Sequence, residues 1–140
     1  MMKRINELLP KAMDALKHSG LLLDNETSIL KEYDGYVASF APSVITAGLK
    51  ATLSFYTDNH KDKSPKRSDI LKVLHTTYQS KSGHLSGNDL LAIALDINDN
   101  DERQLKKDLI DCSVALKLVM RNFKQIDSKP NSEPQNPVQP

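Results

Sequence analysis

The clearest structural signal in the chain is the segment 101–126, DERQLKKDLIDCSVALKLVMRNFKQI. Its apolar residues recur at alternating spacings of four and three, which is a heptad pattern. They are Leu105, Leu109, Cys112, Leu116, Val119 and Phe123. This spacing predicts one long helix over 101–126 with a buried face. Asp99 or Asp101 is the expected N-terminal cap, because a carboxylate stabilises the positive end of a helix.

The rest of the chain also favours helices. It contains 19 leucines but only 7 aromatic residues, and few segments alternate polar with apolar side chains. Apolar residues at helical spacing predict five further helices, within residues 5–20, 27–42, 44–56, 68–83 and 86–97. Gly20 is the expected left-handed stop of the first, Thr27 caps the second, Pro42 ends it, and Ser68 caps the fourth. We therefore expect a compact all-α bundle of six helices.

Two segments lack the apolar residues that a packed helix needs. Residues 58–68 combine Asn, Asp, Lys, Ser and Pro, which is typical of an exposed loop. Residues 128–140 contain four prolines and one apolar side chain, Val138, so they cannot bury enough surface to become ordered. The sequence predicts a single helical domain over 1–127 and a disordered proline-rich tail over 128–140.

Composition excludes several classes of protein. No apolar run approaches the roughly 20 residues that cross a bilayer, and the N-terminal residues lack the apolar segment of a secretory signal. We expect a cytoplasmic protein without a membrane partner. The one cysteine, Cys112, excludes a disulfide framework and a cysteine-based zinc site. Its place in the heptad pattern favours a core residue over a reactive nucleophile.

No motif for catalysis or metal binding stands out. The four histidines lie far apart, and none forms an HExxH pattern. Residues 96–107 imitate a calcium-binding loop, but Asp101 replaces its glycine and Lys107 replaces its final glutamate. Phosphate-binding glycine loops and serine nucleophile motifs do not occur. The expectation is a protein that is not an enzyme, with no catalytic residue, metal, cofactor or small-molecule substrate.

The formal net charge of +1 conceals an uneven distribution of charge. Residues 50–84 carry seven bases and three acids, residues 85–102 carry five acids and no base, and residues 103–124 carry six bases and two acids. Four of the first seven bases fall within the predicted loop 58–68. A flexible basic loop suits contact with a phosphate backbone.

The bases of the predicted last helix form a second candidate surface. At about 100° per residue, its six lysines and arginines fall within one arc of about 100°, opposite the leucines. A solvated helix face is one interpretation of this stripe. Apolar residues in the same arc favour the other, a surface that contacts another helix of the domain or a partner protein. The candidate interface residues are Arg103, Lys107, Ile110, Val114 and Arg121.

Residues 36–56, YVASFAPSVITAGLKATLSFY, carry a resemblance to a known family. The elements are a tyrosine-containing helix end, a proline, an apolar pair, the pair Gly48-Leu49 and the run Thr52-Leu53-Ser54-Phe55. The segment resembles the signature region of the small, all-helical fifth subunit of Cmr-type (type III-B) CRISPR ribonucleoprotein complexes. By physics alone, Gly48 within a helix predicts the close approach of another helix.

The resemblance implies an architectural role in antiviral defence. Family members stack in several copies as a filament beside larger Cmr backbone subunits, and they line the channel where guide RNA pairs with target RNA. Target cleavage belongs to the backbone subunit, so the resemblance implies a non-catalytic clamp. The candidate RNA-binding residues are Lys50, Lys61, Lys63, Lys66, Arg67 and Lys72, and the acidic segment 89–102 is expected to contact the next copy or a backbone subunit.

A second hypothesis is a helical protein–protein adaptor or regulator without RNA contact, whose basic stripe is only solvated. Binding that falls steeply with salt favours the RNA clamp. The adaptor would be favoured by binding that is insensitive to salt and is abolished by substitution of Ile110 or Val114.

Overall fold

The computed structural model describes residues 2–57, 65–82 and 90–127, which form six α-helices and three short strands. The helices are α1 (Met2–Lys17), α2 (Lys31–Ala47), α3 (Leu49–Thr57), α4 (Arg67–Ser82), α5 (Leu90–Leu95) and α6 (Asp99–Met120). The strands are β1 (Leu22–Leu23), β2 (Ser28–Leu30) and β3 (Lys124–Ile126). The predicted helical fold class is confirmed, with a small sheet added to it. None of the helices in these ranges is long and apolar enough to span a membrane.

Helix α6 is the centre of the core and packs against α1, α2 and α4. Leu105, Leu109, Cys112, Leu116 and Val119 are all buried, so the heptad pattern correctly predicts the core face and the structural role of the cysteine. The predicted cap is wrong by a few residues. Asn98 caps the helix, and its side-chain oxygen accepts a hydrogen bond from the Asp101 backbone N–H at 2.8 Å. Asn98 fills this role because Asp99 and Asp101 already lie within the first turn.

The predicted break at Pro42 is wrong, because α2 continues through this proline to Ala47. Proline removes one backbone hydrogen bond from a helix interior. Burial of the apolar face offsets that loss, since Val37, Phe40 and Val44 are all fully buried on both sides of Pro42. Tertiary packing therefore overrides the local signal.

Gly48 ends α2 and separates it from α3. Its backbone has φ +95° and ψ 160°, and its N–H donates to the Val44 carbonyl at 2.9 Å. A Cβ built at this position would meet no atom within 4 Å. The predicted close approach of another helix is therefore wrong, and the glycine serves the backbone conformation instead.

The strands form a three-stranded sheet in the order β1-β2-β3. Strands β1 and β2 are antiparallel, with Leu22 opposite Ile29, and β2 pairs in parallel with β3. Helix α6 thus ends at Met120, six residues before the predicted end, because 124–126 pair with β2. The chain turns between β1 and β2 through three consecutive residues with positive φ, Asp24 to Glu26.

The predicted starts of two other helices also differ from the structure. Thr27 lies in the turn before β2, where its hydroxyl donates to the Asp24 carbonyl at 2.7 Å, and α2 begins only at Lys31. Ser68 lies within the first turn of α4 and is buried. Gly20 adopts φ +82° after α1, as predicted for a left-handed stop. Residues 58–64, 83–89 and the proline-rich segment 128–140 lie outside the described residues.

Candidate nucleic-acid and protein interfaces

Lys50, the first candidate RNA contact, lies in the first turn of α3 and forms an ion pair. Its Nζ is 3.3 Å from a carboxylate oxygen of Glu102, in the first turn of α6. Both side chains keep part of their surface exposed, so solvent screens this pair and its contribution to stability is small. The pair joins a basic segment of the sequence to the acidic one, and it reduces the positive charge that Lys50 offers to a ligand.

Arg67 begins α4 and lies against two aromatic rings. Its guanidinium carbon is 4.5 Å from the centroid of the Phe55 ring and 5.0 Å from that of Tyr36. Arginine stacks on aromatic faces because it is planar and weakly hydrated. The cation therefore connects α2, α3 and α4 at the surface.

Burial and charge act in opposite directions on Tyr56, the neighbour of Phe55. Burial raises the pKa of the Tyr56 phenol, while the positive charge of Arg67 lowers it, and burial is the larger cause. The Tyr56 hydroxyl donates to the Tyr36 carbonyl oxygen at 2.5 Å. The Phe40 ring packs edge-on against Tyr56, with centroids 5.5 Å apart. This side of the aromatic group belongs to the core.

Lys66 and Lys72 line one small cavity beside α4. The cavity has a volume of about 170 Å³, and its walls are Thr57, Lys66, Ser68, Leu71, Lys72, His75 and Leu90. Ser68, Lys72 and His75 are spaced by four and three residues, so they share one face of the helix. Two ammonium groups and a hydroxyl are ligands that suit a phosphate. Lys61 and Lys63, the other two lysines of the predicted loop, lie outside the described residues.

An acidic side chain lies on the other side of Lys72. Lys72 also lines a second cavity of about 290 Å³, together with His18 and Asp69. Asp69 is buried and accepts hydrogen bonds from the Tyr33 hydroxyl at 2.7 Å and from the Lys66 backbone N–H at 3.2 Å. Asp69 therefore fixes the start of α4 against α2 and positions the residues that carry the lysines.

The second candidate surface, on α6, is shorter than the sequence predicts. Arg103 and Lys107 are exposed and line an open groove of about 460 Å³ with Asn100, Gln104, Lys106 and Ile110. Val114 is 39% exposed, whereas Ile110 packs partly against the core. Arg121 follows the last residue of the helix and is exposed.

Two bases of the predicted stripe do not belong to this face. Lys117 bridges both carboxylate oxygens of Asp34 on α2, each at 2.7 Å, and Lys124 lies in β3. The continuous stripe over Arg103–Lys124 is therefore wrong. The paired lysine holds two helices together, and the helix ends before the last base.

The structure brings together residues that no motif in the sequence groups. Phe55 and Tyr36 flank Arg67, while Ser68 and His75 join the two lysines. Arg4 of α1 also pairs with Asp108 and Asp111 of α6. Helical spacing signals the grouping on α4, but no local pattern signals contacts between α1 and α6. Among the described residues, no group of three or more His, Cys, Asp or Glu side chains is placed to hold a metal ion.

Comparison with known proteins gives one family match. A family model described as CRISPR-associated protein (Cas_Cmr5) matches residues 6–121. No curated protein and no solved structure gives a significant match. The family match covers most of the chain, including the segment 36–56, most of α1 and the whole of α2 to α6. The chain therefore belongs to the Cmr5 family of CRISPR-associated proteins, the small subunits of type III-B Cmr complexes.

Proposed function

We propose that this small subunit is a non-catalytic clamp that helps to hold the guide RNA–target RNA duplex of a Cmr complex during antiviral defence in the cytoplasm. The observation that carries the proposal is the pair of lysines, Lys66 and Lys72, on one small cavity with Ser68 and His75. Neither lysine side chain forms an ion pair with a residue in the described ranges. Their charge is thus available to a phosphate.

Contacts of this kind hold a strand without reading its sequence. Lysine acts on phosphate as a point charge, and guide RNA supplies specificity through base pairing. A single copy contributes little to the binding of RNA. Several copies along one filament raise the effective concentration of the later contacts, so a nearly neutral protein can serve an RNA complex.

The charge distribution supports stacking of copies beside the backbone subunits. Asp99 and Asp101 are exposed at the start of α6, and in this proposal they contact a basic surface of the next copy other than Lys66 and Lys72, which hold RNA. An acidic surface that meets the basic surface of the next copy makes a head-to-tail contact, which generates a filament when it does not close. In this proposal Arg103, Lys107, Val114 and Arg121 on the α6 side face the backbone subunits.

The proposed RNA contact is tested by the double variant Lys66→Glu/Lys72→Glu in a complex purified from cells that contain the other subunits. Each lost phosphate contact reduces binding and lowers its salt dependence by about one charge. We expect the variant complex to retain severalfold less RNA than the wild-type complex at the same salt concentration, with a shallower dependence on salt. Subunit stoichiometry and the melting temperature of the isolated variant should stay close to wild type.

The matched control is Lys11→Glu/Lys17→Glu on α1. It makes the same change in net charge, and each pair combines one partly exposed and one exposed lysine. RNA recovery should stay at the wild-type level in this control. Wild-type recovery of RNA by both double variants would reject Lys66 and Lys72 as RNA contacts. A loss of RNA of the same size in both would show that the effect comes from net charge alone.

A further inference from the structure

Phe55 is an aromatic residue that lies outside the hydrophobic core. It is 56% exposed, although Leu53 and Tyr56 beside it are fully buried. Phe55 points away from the buried face of α3, so burial within the domain does not explain why an aromatic residue occupies this position. One contact distinguishes it from the other exposed apolar side chains, because the Arg67 guanidinium lies over its ring.

The arrangement leaves functional groups of both residues available. A guanidinium that stacks on a ring still presents its N–H donors at its edge, where they fit the oxygens of a phosphate. Arg67 forms no ion pair with any residue in the described ranges. Its neighbour in sequence is Lys66, which lines the cavity that also contains Lys72 and His75 in its walls. An exposed ring, a stacked arginine and a lysine therefore occupy one edge between α3 and α4.

We infer that Phe55 and Arg67 form a stacking site for an unpaired nucleotide of an RNA strand, in which the base packs on Phe55 and an adjacent phosphate meets the edge of Arg67. The inference rests on the proposed function and extends it from backbone contacts to a base contact. Aromatic side chains and arginine planes are the surfaces on which proteins stack RNA bases. Bases inside a duplex already stack on one another, so the ligand is a nucleotide at a strand end or one displaced from the duplex.

The test is ultraviolet cross-linking in the assembled complex, which joins RNA to side chains in direct contact. Complexes are purified with the wild-type subunit or with Phe55→Ala, Phe55→Trp or Ile45→Ala, irradiated and digested with trypsin. Cleavage after Lys50 and Lys61 releases the peptide 51–61, which contains Phe55. Ile45 is the matched control, because it is a 68% exposed apolar side chain without a ring to stack on a base.

We expect nucleotide adducts at Phe55 in the wild type and at the new indole in Phe55→Trp. Phe55→Ala should lower the yield of adducts on peptide 51–61 by at least about tenfold, while Ile45→Ala leaves it unchanged. All variants should unfold within a few degrees of the wild type, because both substituted residues are exposed.

Four outcomes would overturn the inference. Adducts on other basic peptides but none on peptide 51–61 would leave the proposed function in place without the stacking site. An undiminished yield in Phe55→Ala would assign the adduct to another residue. Loss of partner subunits from Phe55→Ala, without any adduct, would assign this edge to a protein contact. A complex that contains no RNA would contradict both the stacking site and the proposed function.

Discussion

Gly48 separates α2 from α3 in a conformation, φ +95° and ψ 160°, that essentially only glycine adopts. The sequence predicts a special role for this glycine, because it lies between two apolar faces, but it does not predict which role. A close contact between helices and a break in the backbone can both require a glycine at this place, so the sequence does not distinguish them. The open space around its Cα decides between them.

Replacement of Gly48 by alanine should therefore destabilise the domain through backbone strain, by about 1–3 kcal/mol. The control is Gly35→Ala within α2, where an added Cβ also meets open space and φ is ordinary. That change should be stabilising by roughly 0.5–1 kcal/mol, since alanine favours a helix interior. Urea unfolding of the two variants measures the contrast. Equal stability of both variants would contradict the strained backbone at Gly48.

Tyr56 makes stability depend on alkaline pH. Burial raises the pKa of its phenol above the ordinary value of 10.0, so the folded state keeps the proton after the unfolded state has lost it. Stability from this group is fully present below pH 10 and falls as the pH rises through the folded pKa. Burial acts on Tyr78 in the same direction.

The variant Tyr56→Phe should show a shallower loss of stability above pH 10 than the wild type. It should also lose roughly 1 kcal/mol at neutral pH, because the Tyr36 carbonyl loses its hydrogen-bond donor. Urea unfolding between pH 8 and about pH 11 separates the two effects. Identical alkaline slopes for variant and wild type would show that Tyr56 does not contribute to the pH dependence.

Helices α1 and α6 are joined by charge as well as by apolar packing. Arg4 of α1 contacts Asp108 and Asp111 of α6, with Nε 2.8 Å from an Asp111 oxygen. Both aspartates are buried, and Asp108 also accepts a hydrogen bond from Gln104 at 3.0 Å. Arg4 keeps part of its surface exposed, so solvent weakens the attraction from one side. Arg4 nevertheless supplies a positive charge to both buried carboxylates.

Arg4→Met should destabilise the protein by about 2 kcal/mol, because it removes a positive charge that contacts two buried carboxylates. The triple variant Arg4→Met/Asp108→Asn/Asp111→Asn removes all three charges and should recover much of that loss. Denaturant unfolding of wild type, single and triple variants forms the comparison. A single variant as stable as the wild type would contradict the role of the ion pair, and so would a triple variant that recovers nothing.

The elements that the sequence predicts well are those with a long local pattern. The heptad of α6 extends over five buried residues, and Gly20 adopts the expected left-handed conformation after α1. The sheet is not predictable in this way, since its strands have two or three residues and β2 pairs with β3 across most of the chain. Pairing with β2 shortens α6, and packing carries α2 through Pro42. In both places a distant contact overrides the local signal.

For the whole molecule, the distribution of charge matters more than its total. The sequence identifies the basic segment 50–72, and helical spacing groups the lysine and histidine on α4. It does not show that Glu102 pairs with Lys50, that Asp34 pairs with Lys117, or that Arg67 stacks on Phe55. Each of these contacts joins residues from different helices. Among the described residues, Lys66, Arg67 and Lys72 thus form one group of bases without an ion pair, and Arg103 and Lys107 are exposed on α6.

The central claim is that this Cmr5 family subunit works as part of an RNA-holding assembly. The most direct measurement is to tag the subunit in its native host, purify it gently, and identify both the proteins and the RNA that accompany it. The account predicts short RNAs that share one repeat-derived end, several larger subunits in stoichiometric amounts, and more than one copy of the tagged chain. Recovery of a single protein partner without RNA would contradict the account and favour a protein–protein adaptor.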